Sequence, residues 1–388
     1  MVIGMQQNQL MKRTAVYTVL FACFALTAIF YYSAHKIVVV ADVAQDEVAQ
    51  VQTGGEWTAQ NGSGAGAAGN GAGVQGSGTG AENAPDGASL QNDILFGQNG
   101  QEMNYFCIPL HTNVKAEDVT IENHYMDKEL WVSIRQGAEN AGYEEFYRTQ
   151  GVYGNRSAVI DGRFESGAET FWLKFRLTDV YEYHSIFEDN KLYIEFMTPR
   201  EAYDKIVVID PAYGGEITGA ISEELAGKDI TLEIARALKK KLDGTDIKVY
   251  YTRMDDSALS DEERVGLANA AKADMLIRIE VNENEDSKIY GTEAVYNSRF
   301  FIPGFGSVEL ADLLEREVVT AISGKANGLT DSTEEDVVIN DATVPAAAIR
   351  VGYLSNGQEE ILLGREDYIQ KIAEGIYQAI MKVYSGDS

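Results

Sequence analysis

Residues 206–219 read IVVIDPAYGGEITG. Four apolar residues lead into Asp210-Pro211 and then into a small-residue turn that carries Tyr213 between Ala212 and Gly214-Gly215. A buried-type strand that breaks into a glycine-rich loop is where α/β proteins place their chemistry. The chemistry open to Tyr213 is narrow, because a phenol with an ordinary pKa of about 10 is a poor metal ligand. Stronger donors are missing from the same half of the chain. The histidines are His35, His111, His124 and His184 and the cysteines Cys23 and Cys107, so residues 203–388 contain neither type. No spacing among His111, His124 and His184 resembles a ligand set, and they read as surface or internally satisfied side chains.

The elements that must position this turn alternate between strand and helix. KIVVID reads as a strand, and DITLEIARALKKKL as an amphipathic helix with Ile230, Ile234, Leu238 and Leu242 four apart on one face. KVYYTR is a strand. SDEERVGLANAAKA opens with a capping box, Ser260 followed three residues later by Glu263, and continues as a helix. DMLIRIEV and GTEAVYN are strands, SVELADLLEREVVTAIS is a long helix, VVIN and AAAIRVGYL are strands, and REDYIQKIAEGIYQAIMKVY is a closing helix. This order predicts an α/β domain over 203–388, a mixed central sheet flanked by helices.

Residues 92–200 have the strand period instead. In TFWLKFRL, Phe171, Leu173, Phe175 and Leu177 alternate with Trp172, Lys174 and Arg176, and ELWVSIRQ and KLYIEFM repeat the theme. With Asp161-Gly162 and Glu188-Asp189-Asn190 read as turns, the expectation is a small antiparallel β-sandwich or barrel-like module.

Ahead of it, 33–91 form a linker whose stretch 54–87 has glycine at 12 of 34 positions, with Ala, Ser, Asn and Gln at most others. Too little apolar surface is available there to offset the entropy of ordering, so a flexible tether is expected. Residues 15–32, AVYTVLFACFALTAIFYY, carry no charge and follow Lys12-Arg13. That length and flank predict a transmembrane signal anchor, with 1–14 as a cytoplasmic tail and the rest outside the cytoplasm. Against 32 Lys plus Arg stand 60 Asp plus Glu, a net charge of −28 that repels phosphate backbones and excludes nucleic acid as a natural partner.

Several separated stretches of 203–386 resemble the zinc-dependent N-acetylmuramoyl-L-alanine amidases, the peptidoglycan-cleaving family with a central sheet and one zinc. KIVVIDPAYGG is similar to the family's opening strand and DPGHGG turn, and TRMDD to its TRxxD. SDEERVGLANAAKADMLIRIEVN is similar to the SLxxRxxxAN helix leading into SIHAN, and VGYLSNGQEEILL to VELGFLSNxxEExLL. Arg264, Asn269, Asn282 and Gly291 fall where the family has the same residues. The strand module resembles, more loosely, the β-sandwich targeting domains that precede some of these amidases.

The resemblance implies a zinc held by two histidines and a glutamate, with a second glutamate as general base. Carried over position by position, the first histidine is Tyr213, the ligand glutamate Gly227, the second histidine Glu280, and the general base Arg350. Arginine stays protonated and cannot accept a proton. The expectation is therefore no zinc or other cofactor, no catalytic residue, and three vestigial metal positions. An all-oxygen set of Glu280, Asp210 and Glu223 or Glu224 would suit Ca²⁺ or Mg²⁺ rather than zinc. Glu280 and Arg350 are expected to pair in place of the metal, with the Tyr213 hydroxyl on one of them and Arg278 as a competing partner for Glu280. The aromatic loop RFFIPGFG, with Phe300, Phe301 and Phe305, reads as packing under the next helix or as a binding surface.

The functional expectation is a single-pass cell-membrane protein with its later domains outside the cytoplasm. Its amidase-like domain would be catalytically inactive and bind peptidoglycan or a cell-wall or membrane protein. The alternative is an active peptidoglycan amidase, cleaving the MurNAc-L-Ala amide bond, with a rearranged metal site.

Overall fold

The computed structural model describes residues 93–97, 103–112, 114–135, 142–299 and 303–386. The predicted tail, anchor and linker at 1–91 lie outside the described residues, as do Phe300 and Phe301. Among the described residues no helix is long and apolar enough to cross a membrane.

The strand module begins with β1 (Phe106–Pro109), β2 (Val119–His124), β3 (Glu129–Arg135), a short α1 (Tyr143–Thr149) and β4 (Tyr153–Gly154). It continues with β5 (Val159–Ser166), β6 (Thr170–Leu177), β7 (Glu182–Glu188) and β8 (Lys191–Met197). They form two antiparallel four-stranded sheets, ordered β4-β1-β8-β7 and β2-β3-β6-β5. The alternation legible in TFWLKFRL puts Phe171, Leu173 and Phe175 between the sheets, and Phe106 meets Phe175 edge-on with centroids 5.0 Å apart.

Asp161-Gly162 is not a turn but part of β5. A Cβ at Gly162 would stand 2.8 Å from the Phe175 ring, so this glycine serves close packing across the sheet rather than chain reversal. Asp189 and Asn190, both at positive φ, do form the β7–β8 turn.

After a turn of helix, α2 (Pro199–Ala202), the α/β domain runs β9 (Ile206–Pro211), α3 (Gly227–Leu242), β10 (Lys248–Tyr251), α4 (Asp261–Ala271), β11 (Met275–Asn282) and β12 (Thr292–Tyr296). Then come α5 (Ser307–Ile322), β13 (Ala326–Asp331), α6 (Val337–Asn340), β14 (Ala346–Tyr353), α7 (Gly357–Leu363) and α8 (Glu366–Ser385). The sheet order is β10-β9-β11-β14-β12-β13, parallel except where β12 meets β14. The capping box at Ser260 and Glu263 is present, with each side chain bonded to the other residue's backbone N–H.

Two differences from the sequence expectation fall on the far edge of this sheet. VVIN is the helical turn α6, not a strand, and the outermost strand is ANGLTD, whose polar, glycine-bearing composition hides it. An exposed edge strand packs few apolar side chains, so it carries no hydrophobic signature.

All the strands of this sheet but β13 feed two cores. Val207, Ile209, Ile277, Ile279, Ala347 and Ile349 face α3, α5 and α8, where Ile230, Ile234, Leu238 and Leu242 are buried. Ile206, Val208, Leu276, Ala346, Ala348 and Val295 face α4 and α6. Val180 from the strand module belongs to this second core. The Tyr125 hydroxyl donates to the Tyr251 carbonyl at 2.9 Å, and Lys248 pairs with buried Glu182 at 2.9 Å, so the module is docked against β10.

Candidate functional site

The two-residue period of the strands decides what meets at the C-terminal edge of the sheet. On the face that packs α4 and α6, β9 continues from Val208 to Asp210, β11 from Leu276 to Arg278 and Glu280, and β14 from Ala348 to Arg350. Glu293 precedes Val295 on the same face of β12. Register then sets Asp210 opposite Arg278, and Arg350 opposite both Glu280 and Glu293. The apolar core of this face gives way, over one strand turn, to a row of alternating charges.

The row is continuous. Arg264 on α4 contacts Asp210 Oδ1 at 2.6 Å, and Arg278 contacts Asp210 Oδ2 at 2.6 Å. Arg278 Nε reaches Glu280 Oε1 at 2.7 Å, and Arg350 Nε reaches Glu280 Oε2 at 2.9 Å. The remaining nitrogens of Arg350 hold Glu293 at 3.1 Å and Asp336 at 3.0 Å. Burial drives the Asp210 carboxyl toward its neutral form, but Arg278 and Arg264 overcome it and hold the pKa below the ordinary carboxylate value. At Arg350 burial pulls down, but Glu280, Glu293 and Asp336 together pull up more strongly, so the guanidinium is held more firmly protonated than usual. A group in that state accepts no proton from a water nucleophile.

Tyr213 stands beside this row on a strained turn. Its φ is +70°, a left-handed conformation that costs a non-glycine residue about 1 kcal/mol, and it is followed by Gly214 and Gly215 at positive φ. Arg264 holds the turn by donating to the Tyr213 carbonyl at 2.6 Å. The ring lies across two glycines: a Cβ at Gly219 would be 2.4 Å from Tyr213 Cε2, and one at Gly227, the first residue of α3, 3.3 Å from it. Burial first, and the Glu280 charge second, raise the hydroxyl above its ordinary pKa, so it remains a neutral phenol.

The structure therefore brings Tyr213, Gly227, Glu280 and Arg350 to one locus, at the C-terminal ends of β9, β11 and β14 and the N-terminus of α3. The expected Glu280–Arg350 pair is present, and Arg278 shares Glu280 rather than displacing Arg350. The expected bond from Tyr213 to one of them is not formed. Its hydroxyl donates to the Val281 carbonyl at 3.2 Å, because the ring is aimed along the glycines at the β11 backbone.

An all-oxygen site from Asp210, Glu280 and Glu223 or Glu224 is not assembled either. Both oxygens of Asp210 and of Glu280 are engaged by arginines, and Glu223 and Glu224 are exposed on the loop before α3. Among the described residues no group of three or more His, Cys, Asp or Glu is placed to hold a metal ion. Zinc does not fit the donors at this locus, which are a neutral phenol, a glycine and a carboxylate committed to two guanidiniums.

The other motif residues work as scaffold. Thr252 donates to Asp210 at 2.6 Å. Arg253, which burial and then the neighbouring Arg264 charge bring down to about 10, donates to the carbonyls of Pro211 at 2.9 Å, Ala212 at 2.8 Å and Lys228 at 2.9 Å. It thereby joins the β9 turn to α3. Asn269 binds the Thr343 backbone N–H at 2.8 Å, and Asn356 caps α7 by accepting from Gln358 and Glu359. Asn282 bonds Glu293 at 3.0 Å.

Glu293 and Asp336 were not singled out by the sequence reading. Glu293 was discoverable from the alternation of β12, but Asp336, in the acidic stretch TEED, had no distinguishing signal. Away from the site, His124 stacks on Trp131 and contacts Glu122 at 3.2 Å, while His111 and His184 are exposed. Phe305 packs against the first core.

A model of the N-acetylmuramoyl-L-alanine amidase family matches residues 207–382, the α/β domain. Over 180 residues the chain is 32% identical to YqiI, an uncharacterized protein of Bacillus subtilis strain 168, covering 46% of this chain and 85% of that one. Over 197 residues it is 29% identical to the germination-specific N-acetylmuramoyl-L-alanine amidase of the same organism, covering 47% and 80%. Among solved structures, the catalytic domain of CwlV, an N-acetylmuramoyl-L-alanine amidase from Bacillus (Paenibacillus) polymyxa var. colistinus, aligns at 30% identity with a TM-score of 0.43, covering 47% of this chain and 99% of that one.

Proposed function

Because the chain belongs, through its α/β domain, to the N-acetylmuramoyl-L-alanine amidase family, we propose that it is a membrane-anchored cell-wall protein whose amidase-like domain has lost zinc hydrolysis and acts by binding. The ligand class is peptidoglycan or a wall-associated protein. The single observation that carries this reading is the Arg350 guanidinium on Glu280, 2.9 Å away, where a general base would have to face a metal-bound water. The scaffold around it remains in use: Thr252, Arg253, Arg264 and Asp210 still brace the turn. A fold maintained without its chemistry retains surfaces, and surfaces bind.

The anchor at 15–32 and the glycine-rich stretch after it support a tethered position outside the cytoplasm, within reach of the wall. The test is twofold. Metal analysis of the purified protein should give no stoichiometric zinc, and incubation with labelled peptidoglycan should release no muropeptides while the protein sediments with the insoluble wall or with a wall-associated protein. Zinc at one equivalent together with muropeptide release would establish the rearranged amidase instead.

A further inference from the structure

The arrangement around Arg350 has the form of a coordination sphere. Its three guanidinium nitrogens each take a different carboxylate, from three separate elements: Glu280 on β11, Glu293 on β12 and Asp336 at the start of α6. Glu293 is itself positioned by Asn282 at 3.0 Å and by the Tyr353 hydroxyl at 3.5 Å, much as outer-sphere hydrogen bonds orient metal ligands. The charge balance is equally specific. Arg264, Arg278 and Arg350 against Asp210, Asp261, Glu280, Glu293 and Asp336 give 3 − 5 = −2, and without Arg350 the cluster would stand at −3.

Resting on the reading that zinc is absent, we infer that Arg350 is a tethered counter-ion that does structurally what a bound metal would do. Its guanidinium gathers three carboxylates and fixes the α6 turn against the strand ends. A bound metal stabilises by mass action and leaves when its concentration falls or a chelator is added. A guanidinium carried on β14 does neither. Its planar fork spans more widely than an ion, which is why the carboxylates it separates do not form a ready metal site while it is present. Arg350 is accordingly a positioning residue, and its replacement leaves a −3 cluster whose excess charge a hard divalent cation would offset.

That charge arithmetic supplies a readout that an ordinary ion pair would not move. The full chain in detergent, stripped with EDTA, is melted across a Ca²⁺ series and a Mn²⁺ series at constant ionic strength, with Mn²⁺ binding followed by electron paramagnetic resonance. Wild type should melt at the same temperature with or without EDTA and cation. Arg350→Ala and, in parallel, Arg350→Met, which keeps most of the aliphatic stem, should melt lower and regain stability saturably, with about one Mn²⁺ bound. Adding Glu293→Gln should abolish the rescue, and Arg350→Lys, which keeps the charge but not the three-way fork, should melt between wild type and Arg350→Met and show no cation rescue. If neither variant responds to cations, or neither folds even when they are present, or rescue persists with Glu293→Gln, the inference is overturned. Zinc in wild type would instead overturn the hydrolysis-free reading on which it rests, and the two failures are separately visible.

Discussion

Arg350 Nε lies 2.9 Å from Glu280 Oε2, and the two residues sit directly opposite each other on the parallel strands β14 and β11. The pair is a consequence of register, not of side-chain search. Glu280 is only 8% exposed, so removing Arg350 leaves its carboxylate with Arg278 alone, and removing Glu280 leaves Arg350 with Glu293 and Asp336 and Arg278 with Asp210 and Asp261. Arg350→Met or Glu280→Gln alone should each cost about 2 kcal/mol, and the double variant less than their sum. Urea unfolding of the four proteins in the cycle measures the coupling, and strict additivity would refute it.

Acid should destabilise the domain through Asp210. Its folded-state pKa is held below the unfolded value of about 3.9 by Arg278 and Arg264 against the opposing effect of burial. A carboxyl lowered on folding contributes its stability in full above the unfolded pKa and loses it as the pH falls through the folded one. Urea midpoints measured downward from pH 5 should therefore decline below about pH 4. A plateau reaching about pH 2 would contradict the arrangement.

Gly219 is the seat of the Tyr213 ring. With φ at +66° and the ring within 2.4 Å of any Cβ, Gly219→Ala introduces both backbone strain and a clash. The expected loss is about 2 kcal/mol. Tyr213→Ala in the same background should recover the part due to the clash and not the part due to φ. Equal losses in the two backgrounds would mean that the ring does not rest there.

The strand module should melt with the α/β domain. The Tyr125 hydroxyl donates to the Tyr251 carbonyl and accepts from its N–H at 3.2 Å, beside the Glu182–Lys248 pair and the buried bond from the Tyr250 hydroxyl to Glu182. Tyr125→Phe removes both backbone bonds at an expected cost of about 1–3 kcal/mol. Calorimetry should show one transition for wild type and, for Tyr125→Phe combined with Glu182→Ala, two. A wild type already in two transitions would show the docking to be energetically idle.

The sequence by itself determined the scaffold and which residue types stand at the motif positions. The two-residue period set alternate residues of each strand on opposite faces, the four-residue spacing fixed the buried face of α3, and Ser260 with Glu263 fixed the start of α4. The lack of histidine after His184 leaves no imidazole in the α/β domain. These are local signals, carried by neighbours along the chain.

Only the tertiary structure decided how the side chains at these positions are partnered. That Glu280 serves Arg278 and Arg350 together, that Tyr213 turns to the Val281 carbonyl, and that Asp336 closes on Arg350 depend on register between strands distant in sequence and on the reach of long side chains. A polar run such as TEED or ANGLTD has no periodic signature, so its place beside the site becomes visible only when packing puts it there.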